Sequence, residues 1–202
     1  GTARQRVQVQ WKDLRLTAKT SGAAYGETAL PVEEKLSKMF PQLTATNSPS
    51  IVWLQDVSDD QTIKKIDGAI MGNESVGIAL KRFNCYRVNV LDLPEGEVKK
   101  KYLKQTPAFY FFDPSAKMVK KVHGKRATSL SSVNKLIEYT WNKSFTLPIK
   151  KFSKLYKNIL DQLDKWEVKN LAVQRDRAKL DERPNRTDRK STRLNSSHGY
   201  IS

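Results

Sequence analysis

Residues 104–117 read KQTPAFYFFDPSAK and place a proline directly before the most apolar run of the chain. Proline ends a preceding helix and cannot donate a hydrogen bond to a strand ladder, so Pro107 predicts a sharp turn into a strand. AFYFF is apolar throughout and predicts a buried strand, and the turn DPSAK leads to a second strand at 118–123. Together the two strands predict an antiparallel hairpin.

Upstream of the hairpin, two further strands alternate with helices. IVWLQDV at 51–57 predicts a buried strand, and the polar SDDQ after it predicts the cap of a helix over 61–83. Gly68, Gly72 and Gly77 should weaken or kink that helix. CYRVNVLDL at 85–93 predicts the second strand, and a lysine-rich helix follows at 95–103.

A basic segment precedes this pattern of strands and helices, and a further helix follows the hairpin. TSLSSVNKLIEYTW predicts a capped helix whose apolar residues face inward. In the first 45 residues, VQVQWKDLRL alternates like a half-buried strand, and LPVEEKLSKMF predicts a short helix begun by Pro31 and carrying Leu36, Met39 and Phe40.

This order of elements predicts the fold class. A βαβ half followed by a ββα half puts parallel and antiparallel strands into one sheet with helices on both faces, an α/β architecture. The expected organisation is an N-terminal strand and helix segment at 1–45, a domain at 46–146, a helical extension at 147–180 and a disordered tail at 181–202.

Over 51–141 the chain resembles the thioredoxin-like superfamily. The resemblance rests on the strand IVWLQDV that feeds a helix, on Thr106 and Pro107 before AFYFF, and on the hairpin that leads into a terminal helix. It implies a mixed sheet flanked by helices, a cis peptide bond before Pro107, and a redox CxxC motif in or beside SDDQTIKK. That segment contains no cysteine, so the thiol chemistry of the superfamily is not expected here.

The resemblance also implies a groove between Pro107 and the start of the helix that follows IVWLQDV. Its expected binding residues are Thr106, Pro107, Ser58, Asp59 and Asp60. The two adjacent aspartates could serve in acid–base chemistry or hold a cation, but acids in a first helical turn usually cap free N–H groups. Capping is the favoured interpretation.

Cys85 is the one cysteine of the chain, which excludes an intramolecular disulfide and a cysteine-based zinc site. It lies in an apolar strand, and free cysteine is usually a core residue. The alternative is a redox thiol activated by Arg82 and Arg87 nearby. With two histidines, a multi-histidine metal site is also excluded, and no cofactor motif is present.

Charge is the second compositional signal, since 37 lysines and arginines oppose 21 acids and give a net charge of +16. Such a balance favours nucleic acid, anionic surfaces or acidic protein faces. The cations are spread along the chain, which is more typical of a solvated surface. No apolar segment of 18 residues is present to span a membrane.

The sequence after Pro148 predicts one long helix with an apolar stripe of alternating four- and three-residue spacing, typical of a helix packed on a partner helix. The stripe suggests self-association through 148–175 or docking of a partner, and the alternative is that the helix folds back onto its own chain. The stripe residues are Phe152, Tyr156, Ile159, Leu163, Trp166, Asn170 and Val173.

The end of the chain, STRLNSSHGYIS at 191–202, resembles adaptor-derived tails found on unrelated translated sequences. The preferred function is therefore a non-catalytic thioredoxin-like binding or scaffolding module with a protein or peptide partner. Two alternatives remain open at this point: a redox protein that uses Cys85, and a basic protein that binds nucleic acid or anionic surfaces.

Overall fold

The computed structural model describes residues 6–14, 36, 39–40 and 42–181. Five strands and five helices have bounds within these residues, joined in part by short 3-10 turns at Val90–Asp92 and Gly124–Thr128. The strands are β1 Lys12–Asp13, β2 Ser50–Gln55, β3 Asn84–Asn89, β4 Ala108–Phe112 and β5 Met118–His123. The helices are α1 Asp60–Ile66, α2 Glu74–Leu80, α3 Glu97–Leu103, α4 Leu130–Ser144 and α5 Ile149–Asp181.

The strands form a single mixed sheet in the order β1-β3-β2-β4-β5. β1 and β2 pair with β3 in parallel, whereas β4 pairs antiparallel with β2 and with β5. The β4–β5 hairpin is the one predicted from AFYFF and its turn. The topology confirms the predicted α/β class, a thioredoxin-like mixed sheet flanked by helices with a long C-terminal helix.

β4 is buried along its whole length because both faces of the sheet are covered. Phe109 and Phe111 face one cluster with Ile51 and Trp53, to which α1, α2 and α4 contribute. The alternate residues of β4 face a second cluster that includes Tyr102 of α3. Burial of each fully buried aromatic ring stabilises the fold by roughly 1.5–3 kcal/mol, so this strand contributes strongly to the stability of the core.

The helix predicted over 61–83 is divided into α1, a π-helical turn at Asp67–Met71, and α2. At Gly72 a Cβ atom would lie 2.5 Å from the Gly68 carbonyl oxygen, so only glycine fits at this break. Asn73 then caps α2, because its Oδ1 accepts hydrogen bonds from the N–H groups of Ser75 and Val76. The glycines were expected to weaken or kink one helix, but the structure shows a complete interruption.

Only Lys12–Asp13 of the predicted N-terminal strand joins the sheet. Val7 is nevertheless buried against Gly77, where a Cβ would lie 3.1 Å from Val7 Cγ1. Leu36, Met39 and Phe40 are also buried, as core residues of the second cluster. The rest of the helix predicted at Pro31, and the tail from 182 onward, lie outside the described residues.

The chain forms two compact units, residues 1–156 and residues 157–202. Helix α5 begins in the first unit, and its residues 157–181 are the described part of the second. Each unit is described below by itself.

Two glycines at the helix break give a matched test of this architecture. Gly72→Ala should destabilise the protein by roughly 1–3 kcal/mol, because the new methyl group meets the Gly68 backbone. Gly68→Ala should stabilise it by roughly 0.5–1 kcal/mol, because nothing lies within 4 Å of its Cβ position. Urea unfolding measures both, and equal effects of the two substitutions would contradict the steric explanation.

Candidate functional site

A small cavity of about 50 Å³ lies where the end of β2, the first turns of α1 and the Thr106–Pro107 peptide meet. Its position is the one implied by the thioredoxin-like resemblance, between the proline before β4 and the start of the helix after β2. The lining residues are Trp53, Gln55, Asp56, Asp59, Thr62, Ile63, Ile66, Thr106 and Pro107. We call this cavity the groove.

One wall of the groove is the capped start of α1. Asp59 Oδ1 accepts a hydrogen bond of 3.1 Å from the Thr62 backbone N–H, which satisfies one of the free donors of the first turn. Hydrogen bonds from the side chain and then the backbone of Thr62 lower the pKa of Asp59. The carboxylate is therefore held ionised as a cap, as the favoured interpretation of this residue requires.

Thr106 and Pro107 form the opposite wall, and the peptide bond between them is cis. The Thr106 N–H donates to the Tyr102 carbonyl at 3.1 Å, and its hydroxyl donates to the Leu103 carbonyl at 2.7 Å. Among the described residues, no donor is bonded to the Thr106 carbonyl oxygen. This oxygen is a backbone acceptor that a bound chain could use.

Trp53 adds an indole ring to the lining of the groove. Its ring lies between Trp11, with centroids 5.5 Å apart, and Phe109, with centroids 5.8 Å apart. The Nε1–H group is buried and has no acceptor within the described part of the chain. The described residues therefore leave this buried nitrogen without a hydrogen bond, and Trp53 contributes its ring to the groove.

The structure places the predicted groove residues unequally. Asp59, Thr106 and Pro107 line the cavity, whereas Ser58 and Asp60 do not. The Ser58 hydroxyl donates to Asp56 Oδ1 at 2.6 Å, and Asp60 forms an ion pair with Lys64 one turn along α1. Outside the lining, Ser58 therefore stabilises the turn and Asp60 the helix.

Sequence reasoning missed the apolar part of the lining. Two spacings in the sequence indicate these lining residues. Trp53 and Gln55 are two residues apart and so lie on one face of β2. Thr62 and Ile63 follow Asp59 by three and four positions and so lie on one face of α1. These spacings turn the side chains toward the same cavity. The pattern could have been used once a groove at this end of the sheet was expected.

Cys85 does not lie in the groove but in the core beside α2. Its side chain is 5% exposed, and its thiol lies 3.7 Å from the Leu80 carbonyl oxygen. Burial raises the pKa of the thiol to about 12, against weaker opposing effects of Lys81 and Lys12. At neutral pH this leaves roughly one thiolate in 10⁵ molecules, so the environment opposes a redox role for Cys85.

Two other kinds of site were considered. No cluster of three histidine, cysteine, aspartate or glutamate side chains occurs among the described residues. Within the same parts of the chain, every helix is too short or too polar to span a lipid bilayer.

The predicted partner helix begins within the first unit. Phe152 packs against the core, with its ring centroid 4.9 Å from Trp141, and Tyr156 lies 5.7 Å from Phe152. The Trp141 indole donates to the Leu147 carbonyl at 2.7 Å, which fixes the connection between α4 and α5. Phe152 is therefore a core contact of its own unit, which corrects its assignment to a partner surface.

In the second unit, the remaining stripe residues of α5 share one helical face. Ile159, Leu163 and Trp166 are 56%, 53% and 63% exposed, and Val173 is 50% exposed. Asn170 occupies the same stripe between Trp166 and Val173. The stripe thus combines apolar side chains and one amide at heptad spacing.

Comparison with known proteins finds likenesses among solved structures alone. No family model and no curated protein matches this chain. Among solved structures, the chain is similar to that of the thioredoxin Mala s 13 of Malassezia sympodialis, with 14% sequence identity and a TM-score of 0.36. The match covers 51% of this chain and 84% of the other. The fold assignment rests on the strand order and pairing described above.

The buried thiol predicts an alkaline loss of stability. Because the folded pKa of Cys85 is about 12 and that of an unfolded cysteine is near 9, its contribution is fully present below pH 9 and is lost as the pH rises toward 12. Between pH 7.5 and 10, wild type should lose about 1 kcal/mol more unfolding free energy than Cys85→Ala. Urea titrations at both pH values measure this difference, and parallel losses would show that the thiol is exposed.

Proposed function

We propose that the protein is a non-catalytic thioredoxin-like module that binds an extended peptide segment of a protein partner in the groove. The observation that carries the proposal is the lining: a Thr106 carbonyl oxygen that accepts no hydrogen bond from the described residues, and a capping carboxylate at Asp59 where thiol chemistry would need a cysteine. These groups can bind a chain, but none can exchange a disulfide.

Extended peptides suit such a groove because main-chain hydrogen bonds supply affinity and small pockets select side chains. The Thr106 carbonyl can accept a hydrogen bond from a peptide N–H. A cavity of about 50 Å³ holds a small side chain beside Ile63 and Pro107. The expected ligand is therefore an extended segment with one small residue at the groove.

A pair of arginine substitutions tests the groove. Peptides selected from a random library against the full chain should bind Thr62→Arg at least tenfold more weakly than wild type, because the new side chain fills the cavity. Gln61→Arg is the matched control, since it adds the same charge at the preceding position of α1, which is exposed.

Isothermal titration of the selected peptides measures these affinities, and the control should remain within twofold of wild type. Failure to enrich any peptide, or equal binding to both variants, would overturn peptide binding in the groove.

We propose as a second function that α5 pairs with a second copy of this chain. Asn170 favours this occupant because the heptad spacing puts it at an a position, between Trp166 and Val173 at d positions. In a parallel pair the two Asn170 amides can hydrogen-bond each other. Against an apolar partner, the amide would be buried without a hydrogen bond, at a cost of about 1–3 kcal/mol.

Self-association has its own matched pair of variants. Leu163→Gln should raise the dissociation constant of the dimer at least about tenfold, because it removes an apolar residue from the seam. Lys165→Gln, which lies outside the stripe, should leave the dimer unchanged. Sedimentation equilibrium of the full chain measures both, and a wild type that remains monomeric at high micromolar concentration would refute pairing.

A further inference from the structure

A stretch of one-sided charge lies beside the groove. Residues 114–137 contain no acid and carry six cations, namely Lys117, Lys120, Lys121, Lys125, Arg126 and Lys135. This stretch forms β5, the 3-10 turn at Gly124–Thr128 and the first half of α4. Cations are spread along the whole sequence, but within this stretch no acid accompanies them.

These elements border a second, wide-open cavity of about 740 Å³, which we call the basic cavity. Its walls carry Lys121, Lys125, Arg126 and Lys135 together with His123 and Ser132, and Val122 and Leu136 add apolar surface. No acidic side chain is among its lining residues. A concave surface of one charge sign concentrates the electrostatic potential, so the cavity favours anionic groups.

Some cations elsewhere in the described residues are compensated by an acid on the same helix. Lys64, Lys99 and Lys100 each form an ion pair with an acid three or four residues away. Lys125, Arg126 and Lys135 have no such partner among the described residues, and all three are exposed. An anionic ligand would supply charge compensation that the described residues do not.

The basic cavity is connected to the groove through the backbone. Gly124, which lines the cavity, donates its N–H to the Pro107 carbonyl at 2.8 Å, and Pro107 lines the groove. The turn that carries Lys125 and Arg126 also contacts α1, the other wall of the groove. A chain that lies across Pro107 can therefore continue into the basic cavity within a few residues.

We infer that the basic cavity binds the acidic flank of the partner segment, a run of glutamate or aspartate residues next to the part held in the groove. The inference rests on the proposed peptide-binding function and specifies its ligand class. Separate cations favour separate carboxylates, and the partly exposed Leu136 accommodates the aliphatic parts of glutamate side chains. The charge then contributes to specificity and association rate as well as affinity.

Three neutral substitutions test the cavity in the full chain. The probe is an acetylated decaglutamate peptide, titrated into ¹⁵N-labelled protein at low and physiological salt. The amides of Gly124, Arg126 and Ser132 should shift, and Lys125→Gln/Arg126→Gln/Lys135→Gln should weaken binding at least tenfold. Lys101→Gln/Lys150→Gln/Lys151→Gln removes the same charge from other exposed positions and should bind within twofold of wild type.

The outcomes separate the alternatives. Equal weakening by the two triple variants would show diffuse charge attraction and overturn the inference. An oligothymidine decamer that binds more tightly than decaglutamate would also overturn it, because this would indicate a nucleic-acid site. If the library peptides fail but decaglutamate binds the cavity, the groove proposal is refuted while the anionic site remains.

Discussion

The pairing of β4 with β2 is the constraint on which the rest of the structure depends. Five residues of β4 oppose β2 in register, from Ala108 beside Leu54 to Phe112 beside Ser50. All five are buried, so both faces of the strand must be covered by other elements. The same pairing places Pro107 just before β4, at the end of the sheet where β2 ends and α1 begins. The core and the groove thus arise from one interaction.

Much of this architecture follows from sequence because the deciding signals are local. An all-apolar AFYFF between a proline and a polar turn has few alternatives to a central strand, and the order of strands and helices then limits the topology. The interruption at Gly72 is less accessible, because it depends on how closely the Gly68 carbonyl approaches. Phe152 fits the heptad stripe perfectly, and only its contact with Trp141 assigns it to the core.

The residues of the site also differ in how well the sequence predicts them. Asp59, Thr106 and Pro107 follow from a resemblance that fixes two short segments, whereas Ser58 and Asp60 are exposed side chains whose direction depends on the turn. The basic cavity combines residues from three elements, and the sequence shows its charge only as part of a general excess. Folding concentrates that charge beside the groove, where composition alone suggested a solvated surface.

Asp59 and Thr62 explain how the start of α1 is stabilised without a cysteine. They are three residues apart, line the groove together and are joined by a hydrogen bond to the first turn of α1. A carboxylate in this position stabilises the helix start as an N-cap, but it cannot attack a disulfide. The structural role of the helix start is therefore independent of redox activity.

Reduction of insulin by dithiothreitol is the most direct measurement of that independence. Wild type should accelerate the reaction no more than Cys85→Ala does, because the single thiol is buried and protonated at neutral pH. Asp59→Cys/Thr62→Cys, which places two thiols at CxxC spacing in the groove, provides the reference for a redox-competent version of the same fold. Turnover by wild type that disappears in Cys85→Ala would contradict a non-catalytic module.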